Sequence, residues 1–282
     1  MVGLIFYRAS WYYIDLIIQG VLDTLNDAGY KLLIHSCDVA DPGGQKKVLQ
    51  LVEERQVDGL IFIPPTDNSA DVLKQLDDWR TPFVRISPSD ISSPWPFVAP
   101  DDFRGAFDMT SHLLELGHRR IGLIKGDPSH RASHRRLDGY VAALEEYDLP
   151  VDETLIKQGD FFFDSARLAA LSLLTMADPP TAIFASNDDM AAGVLSAAHG
   201  LGIRVPEQLS VGGFDDVDLA HQVWPPLTTI HQPIYDTASE AARILLQFLS
   251  GETPPELQII LPTSLVARSS TDLAPQKQLI FS

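Results

Sequence analysis

Short apolar runs alternate along the chain with longer stretches of helical period. The run Leu4–Phe6 precedes a stretch whose apolar residues recur every three or four positions, with polar residues opposite, as in an amphipathic helix. The same strand-then-helix pattern repeats through Pro82–Ile86. Strands and helices that alternate in this way form a parallel sheet covered on both faces. The first third therefore predicts a doubly wound α/β unit.

A second series of strands and helices begins after Asp101-Asp102, and one of its predicted helices runs from Arg135 to Glu146. A long amphipathic helix from Ile234 follows once this series is complete, so we expect it to return to the first domain. The predicted fold class is α/β, with two doubly wound parallel-sheet subdomains. We predict the first subdomain as residues 1–99 plus 233–261 and the second as 101–230 plus 264–282. The crossovers between them are predicted near 100, 231 and 262.

Composition narrows the class of protein. The 282 residues suffice for two domains, and 45% hydrophobic with 21% charged residues is typical of a globular protein. The chain has neither an apolar run of membrane-spanning length nor the features of a signal peptide at its start. One cysteine, Cys37, fits a reducing compartment, so we expect a cytoplasmic protein without membrane contact. The net charge of −17 opposes direct binding to nucleic acid.

Signatures of catalysis, of cofactors and of metals are absent from the sequence. It lacks phosphate-binding glycine loops, nucleophile elbows and zinc motifs. Cys37 lies in an apolar stretch, which favours a structural thiol over a nucleophile. The spacing of Asp215, Asp216 and Asp218 does not fit a calcium loop. We therefore expect a protein that is not an enzyme and binds neither cofactor nor metal.

Four polar residues follow predicted strands: Arg136, Asn187, Asp215 and Gln232. Ligands of α/β proteins bind where parallel strands end, so we predict recognition of a small polar molecule. Alternatives remain for each. Arg136 is otherwise an exposed helix arginine, and Asn187 is otherwise a helix N-cap. Asp215 needs a partner, either a ligand hydroxyl or Arg136.

Two aromatic trios are candidates for ligand contact, one at Trp11-Tyr12-Tyr13 and one at Phe161-Phe162-Phe163. Both are predicted in loops after strands, although at least one ring of each trio is expected in the core. Aromatic faces stack on the apolar faces of sugars or bases. We favour Tyr13 and Phe161 for that contact.

Several segments together resemble the LacI/GalR family of bacterial transcription regulators. Their order and spacing carry the resemblance, which extends from Val2 to about Ser270. The segments are DGLIFIPP (58–65), HLLELGHRRIGLI (112–124), FASNDDMAAGVL (184–195), LSVGGFDD (209–216) and PPLTTIHQP (225–233).

The resemblance implies a periplasmic-binding-protein-like effector domain with a ligand cleft between its two subdomains. It places Arg136, Asn187, Asp215 and Gln232 on effector-contacting positions. It also places Phe161 on an aromatic stacking position and Tyr12 and Tyr13 in a loop that lines the cleft.

The sequence departs from the family pattern in two respects. The helix-turn-helix headpiece is missing, so we expect the complete protein to contact operator DNA only through that absent segment. Ser87 stands where many relatives present an aspartate to the effector, and Arg8 stands where many have an acid. Arg8 and His134, with Arg131 and Arg135 nearby, are therefore further candidates for a less negative site that accepts a sugar phosphate or sugar acid. The alternative that these side chains face solvent or pair with carboxylates is favoured slightly.

The leading functional hypothesis is the effector-sensing and dimerisation domain of a regulator that responds to a sugar or sugar derivative. The alternative is the solute-binding protein of a sugar transporter, which would share the fold. An enzyme ranks third. The apolar stretch Leu219–Trp224 lies where relatives form their subunit contact, so Val223 and Trp224 are predicted at the interface of a homodimer.

Overall fold

The computed structural model describes residues 1–38, 40–66 and 69–275, and these residues form two compact units. The predicted C-terminal stretch 264–282 therefore lies outside the described residues from position 276 onward. Unit 1 comprises Met1–Asp101, Ser129–Arg131 and Pro233–Pro262, and unit 2 comprises Asp102–Pro128, Ala132–Gln232 and the chain from Thr263.

Helices and strands alternate from the first strand onward. The strands are β1 (Val2–Phe6), β2 (Leu32–Ser36), β3 (Gly59–Phe62), β4 (Phe83–Ile86), β5 (Phe97–Pro100), β6 (Ile121–Lys125), β7 (Ile156–Gln158), β8 (Ala182–Ala185), β9 (Ser210–Gly212), β10 (Thr229–His231), β11 (Gln258–Leu261) and β12 (Ser264–Val266). The α-helices are α1 (Trp11–Asp27), α2 (Pro42–Glu53), α3 (Ala70–Asp78), α4 (Asp102–Glu115), α5 (Arg131–Glu146), α6 (Phe163–Leu174), α7 (Asp188–Gly200), α8 (Leu219–Gln222) and α9 (Ile234–Leu249).

Unit 1, as far as it is described, is built on a six-stranded sheet in the order β11-β5-β4-β3-β1-β2. Every neighbouring pair is parallel; Val2, for instance, pairs with Gly59 and with Leu32. Strands β3, β4 and β5 are buried along their whole length, because helices cover both faces of a doubly wound sheet. The predicted fold class is confirmed for this unit.

Unit 2 contains, among its described residues, a four-stranded parallel sheet in the order β7-β6-β8-β9 and an antiparallel pair of β10 with β12. The carboxyl ends of β6, β8 and β9 therefore lie along one edge of a sheet. Helix α5 begins at Arg131, four residues before its predicted start; Arg131 and Ala132 both have high helix propensity. Arg136 consequently lies in the second turn of that helix.

No helix within the described residues is long and apolar enough to cross a membrane.

Helices α1 and α9 of unit 1 approach each other closely at Gly20. A Cβ atom at Gly20 would lie 2.4 Å from the Tyr235 carbonyl oxygen and 3.0 Å from Ala238 Cβ. The Ser239 hydroxyl also donates a hydrogen bond to the Gly20 carbonyl oxygen at 3.2 Å. Glycine at this position is therefore what allows the two backbones to touch.

We expect Gly20→Ala to lower the free energy of unfolding by about 1–3 kcal/mol, because overpacking forces backbone shifts. Denaturant titration would measure the change. The matched control is Gly200→Ala at the exposed end of α7, where nothing lies within 4 Å of the added Cβ; it should leave stability unchanged or raise it by up to about 1 kcal/mol. Equal stabilities of both variants would contradict the close packing.

Candidate functional site

The four predicted polar residues all lie in unit 2, three of them just after a strand and Arg136 in the helix that follows one. Arg136 lies on α5 after β6, and Asn187 joins β8 to α7. Asp215 follows β9, and Gln232 follows β10. The side chains of Arg136, Asp215 and Gln232 meet one another through Arg136. Asn187 lies beside them through Phe161, whose carbonyl oxygen it binds and whose ring centroid lies 5.9 Å from Arg136 Cζ. All four are buried, so Arg136 is not the exposed helix arginine of the alternative interpretation.

Arg136 is the centre of this group. Its Nε and Nη2 atoms lie 2.9 and 2.8 Å from Asp102 Oδ1. Nη2 also donates to Gln232 Oε1 at 2.9 Å, and Nη1 donates to the Ser186 carbonyl oxygen. We call Arg136 with Asp102, Ser186, Asp215 and Gln232 the Arg136 cluster.

Asp215 faces the remaining side of the guanidinium. Its Oδ1 lies 3.6 Å from Arg136 Nη1, which is an ion pair without a hydrogen bond. Burial removes water from this carboxylate and holds its pKa well above the usual range. Arg136 opposes that rise, whereas Asp188, Asp189 and Asp102 add to it. Arg136 is thus a partner of Asp215 in the structure, but Asp215 shares it with Asp102.

Two aromatic rings border the cluster. The Phe214 ring centroid lies 3.6 Å from Arg136 Cζ, and that of Phe161 lies 5.9 Å away. Phe161 has a φ of 70° and precedes α6, so it lies in a loop as predicted. Its ring covers Gly126, where a Cβ would come within 2.0 Å of it. Glycine at 126 is therefore required for this position of Phe161.

Asn187 caps α7, as the alternative interpretation predicts. Its Oδ1 accepts from the Met190 backbone N–H at 3.0 Å, and its Nδ2 donates to the Phe161 carbonyl oxygen at 3.0 Å. One amide thus starts a helix and fixes the loop that carries Phe161. It still has a second N–H and a second lone pair with which to meet a ligand.

Sequence reasoning missed two carboxylates. Asp102 was identified only as a boundary between the two series, although an acid directly after an apolar strand is the signal that locates Asp215. Asp188 is buried in the first turn of α7, where it accepts hydrogen bonds from Thr229 Oγ1 at 2.6 Å and from the Val217 N–H at 3.0 Å. Burial raises the Asp188 pKa to about 7. An acid at the start of a helix usually serves the helix dipole, which is why neither residue was singled out.

The remaining candidates lie in unit 1. Tyr12 and Tyr13 belong to the first turn of α1, so their predicted loop position is wrong: the helix begins immediately after Ser10. Arg8 is exposed, with a φ of 46°. Ser87 follows β4 with a φ of 47°, and its buried hydroxyl has no hydrogen-bond partner among the described residues. Contact of these four side chains with an effector stays a prediction.

The basic residues before Arg136 are occupied by local partners. His134 is exposed, and its Nε2 lies 2.8 Å from the Pro128 carbonyl oxygen. Arg135 bonds Asp138 at 3.0 Å and lies 4.8 Å from the Phe103 ring centroid. These contacts agree with the alternative interpretation, in which the basic side chains face solvent or bond to neighbours. Whether the site accepts an anionic effector stays a prediction.

The predicted interface residues differ in exposure. Trp224 is 88% exposed, whereas Val223 is partly buried against the core of unit 2. Over the described ranges, no group of three or more His, Cys, Asp or Glu residues is arranged to hold a metal ion.

Residues 110–271 match the model of the periplasmic binding protein-like domain family, which confirms the predicted class of fold. The transcriptional repressor CytR of Escherichia coli K12 is 37% identical over 263 residues, 92% of this chain and 75% of that repressor. The solved transcriptional regulator CelR–cellobiose complex aligns with a TM-score of 0.86 and 28% identity, over 95% of this chain and 84% of that one. The solved structure of a LacI family regulator from Enterococcus faecium with bound ribose aligns with a TM-score of 0.86 and 26% sequence identity. The alignment covers 96% of this chain and 98% of that one.

The chain belongs to the LacI family of transcription regulators and carries an effector-binding domain of that family. The sequence resemblance is thereby confirmed. The relatives are regulators and not enzymes, as the lack of catalytic motifs leads one to expect.

Removing Arg136 should be costly to the fold, because it is buried and binds partners from four other segments. We expect Arg136→Ala to lower the free energy of unfolding by about 3–5 kcal/mol, because it leaves buried carboxylates without their cation. The control is Arg135→Ala, whose exposed pair with Asp138 is worth at most about 1 kcal/mol. Chemical denaturation would compare them, and a small effect of Arg136→Ala would show that its charge is compensated by other means.

Proposed function

We propose that the domain senses a neutral, hydroxyl-rich effector, a sugar or a sugar derivative without a negative group. The observation that carries this proposal is the surplus of carboxylates in the Arg136 cluster. Arg136 is the cation of that cluster, and Asp102 already binds it through two nitrogens. An anionic group would meet the Asp102 carboxylate, and that of Asp215 whenever it is ionised, where water is excluded, and like charges repel most strongly there.

Carboxylates that share one arginine retain lone pairs for other donors. An ionised Asp accepts up to about four hydrogen bonds, and sugar hydroxyls are suitable donors. We assign Asp215 and Asn187 to the hydroxyls and the exposed side of Phe161 to an apolar sugar face. Arg136 and Gln232 complete this set. Contacts from Tyr12, Tyr13, Ser87, Arg8 and His134 stay predictions.

Two similar proteins support a neutral ligand. The CelR complex contains cellobiose, and the Enterococcus faecium regulator contains ribose. Both molecules are uncharged and carry several hydroxyl groups. They favour the neutral sugar over the sugar phosphate or sugar acid that the sequence also left open.

The effector would regulate transcription by shifting the domain between two conformations with different affinity for the effector. Operator DNA would be bound by a helix-turn-helix segment, as the printed name of CytR implies for that relative, and the protein would act in the cytoplasm as a homodimer. Membership of the LacI regulator family disfavours the solute-binding protein of a sugar transporter, which the sequence left as the alternative.

Calorimetric titration of a neutral sugar, its phosphate and its acid would test the proposal. The sugar series would first be chosen by a thermal-shift screen. We expect the neutral sugar to bind tightest and Asp215→Asn to weaken it by about 2–4 kcal/mol, since a buried acceptor is lost. Asp138→Asn, at an exposed position, is the matched control. Tighter binding of the acid or phosphate would refute the neutral effector.

Trp224 provides a separate prediction about assembly. A tryptophan that is 88% exposed is the kind of residue that anchors protein interfaces. We expect light scattering to show a dimer at micromolar concentration and Trp224→Glu to shift it towards monomer. Trp11→Glu controls for the loss of an exposed tryptophan, since Trp11 is 81% exposed in unit 1. A wild-type monomer would contradict the homodimer, and dissociation by both changes would contradict a specific role for Trp224.

A further inference from the structure

Two carboxylates compete for one arginine in the Arg136 cluster. Asp102 Oδ1 lies 2.9 Å from Nε and 2.8 Å from Nη2, while Asp215 Oδ1 lies 3.6 Å from Nη1. A guanidinium group is planar, and its N–H directions are fixed. Whichever carboxylate binds its Nε edge therefore determines how the other nitrogens point.

Asp102 is held in place by the backbone. It is the first residue of unit 2 and of α4, and it is 3% exposed. Helices α4 and α5 touch at Gly139, where a Cβ would lie 2.3 Å from the Phe103 carbonyl oxygen and 2.9 Å from the Phe107 nitrogen. Gly139 lies one turn beyond Arg136, so this contact fixes the distance between the Asp102 and Arg136 backbones.

We propose that Asp102 is a positioning residue that holds Arg136 by its Nε edge and thereby keeps Asp215 free to accept hydrogen bonds from the effector. The last part of this statement rests on the proposed function. The hold of Asp102 on the Nε edge of Arg136 concerns the protein without ligand. Asp102 would thus act through Arg136, without touching the effector itself.

The electrostatics of Asp215 agree with this geometry. Charged groups face it from three helices: Asp102 from α4, Arg136 from α5, and Asp188 and Asp189 from α7. Arg136 lowers the Asp215 pKa, and the three carboxylates raise it. The neighbouring Asp216 is paired with Arg268 and His231. Without the Asp102 charge, Asp215 would lose one raising contribution and would become the main acidic partner of Arg136.

The test is a titration of the Asp215 carboxyl carbon by NMR, without ligand, with the resonance assigned through Asp215→Asn. In Asp102→Asn we expect the Asp215 midpoint to move to lower pH. Asp102→Glu retains the charge and should keep the midpoint near that of the wild type. Asp108→Asn on the same helix, whose partner is Arg104 at 2.9 Å, should not move it. A midpoint that stays unchanged in Asp102→Asn would overturn the positioning role.

Binding of the neutral sugar is the second readout, measured above the Asp215 midpoint of every variant. We expect Asp102→Asn to weaken it about tenfold, since Arg136 then occupies Asp215 lone pairs. If the wild type binds no sugar, the proposed function fails while the titration still decides the positioning role. If the Asp215 midpoint shifts in Asp102→Asn while the sugar affinity stays unchanged, the proposed effect of Asp102 on effector binding is refuted. Should Asp102→Asn not fold, a crystal structure of the wild type decides: Arg136 bonded through Nε to Asp215 would refute the proposal.

Discussion

A buried guanidinium must have its charge and its N–H groups satisfied where water does not reach. Arg136 is only 4% exposed, and the neighbouring strand ends of unit 2 supply its partners. Asp102 comes from the start of α4, Ser186 from the end of β8, and Asp215 and Gln232 from the segments after β9 and β10. One side chain therefore ties together segments that are far apart in sequence, and the geometry of the site depends on it.

The carboxylates around this arginine outnumber it, and the backbone is shaped to hold them. The Asp188 side chain packs against Gly213: a Cβ atom at Gly213 would lie 2.3 Å from Asp188 Oδ1. Its two oxygens are occupied by Thr229 and by the Val217 N–H, so Asp188 has few lone pairs left for a ligand. Asp215, by contrast, lies 3.6 Å from Arg136 Nη1, beyond hydrogen-bond distance.

Periodicity predicted the fold class because buried strands and amphipathic helices leave distinct patterns. It also drew attention to Asn187, Asp215 and Gln232, since polar residues just after apolar strands stand out, and to Arg136 on the helix that follows β6. The role of Asp102 was not predicted, because it depends on Arg136, a partner 34 residues away in the sequence. The helical position of Tyr12 and Tyr13 was missed because the aromatic trio was interpreted as a loop after β1, although Ser10 is a residue type that favours helix N-caps. The contact of Arg135 with Asp138 could not be predicted either, because such local contacts depend on side-chain rotamers, which the sequence does not specify.

Hydrogen bonds and close packing hold the side chains of the candidate site in place, and this affects how the site can discriminate between ligands. Asn187 fixes Phe161 through its backbone, and Gly126 admits the Phe161 ring. Asp102 and Gln232 fix the plane of Arg136. Side chains that are already ordered lose little entropy on binding, so affinity depends on how well the ligand's donors match the fixed acceptors. A ligand that leaves the Asp215 carboxylate without a donor is penalised most, because a buried acceptor that loses water and gains no partner costs more than an average hydrogen bond contributes.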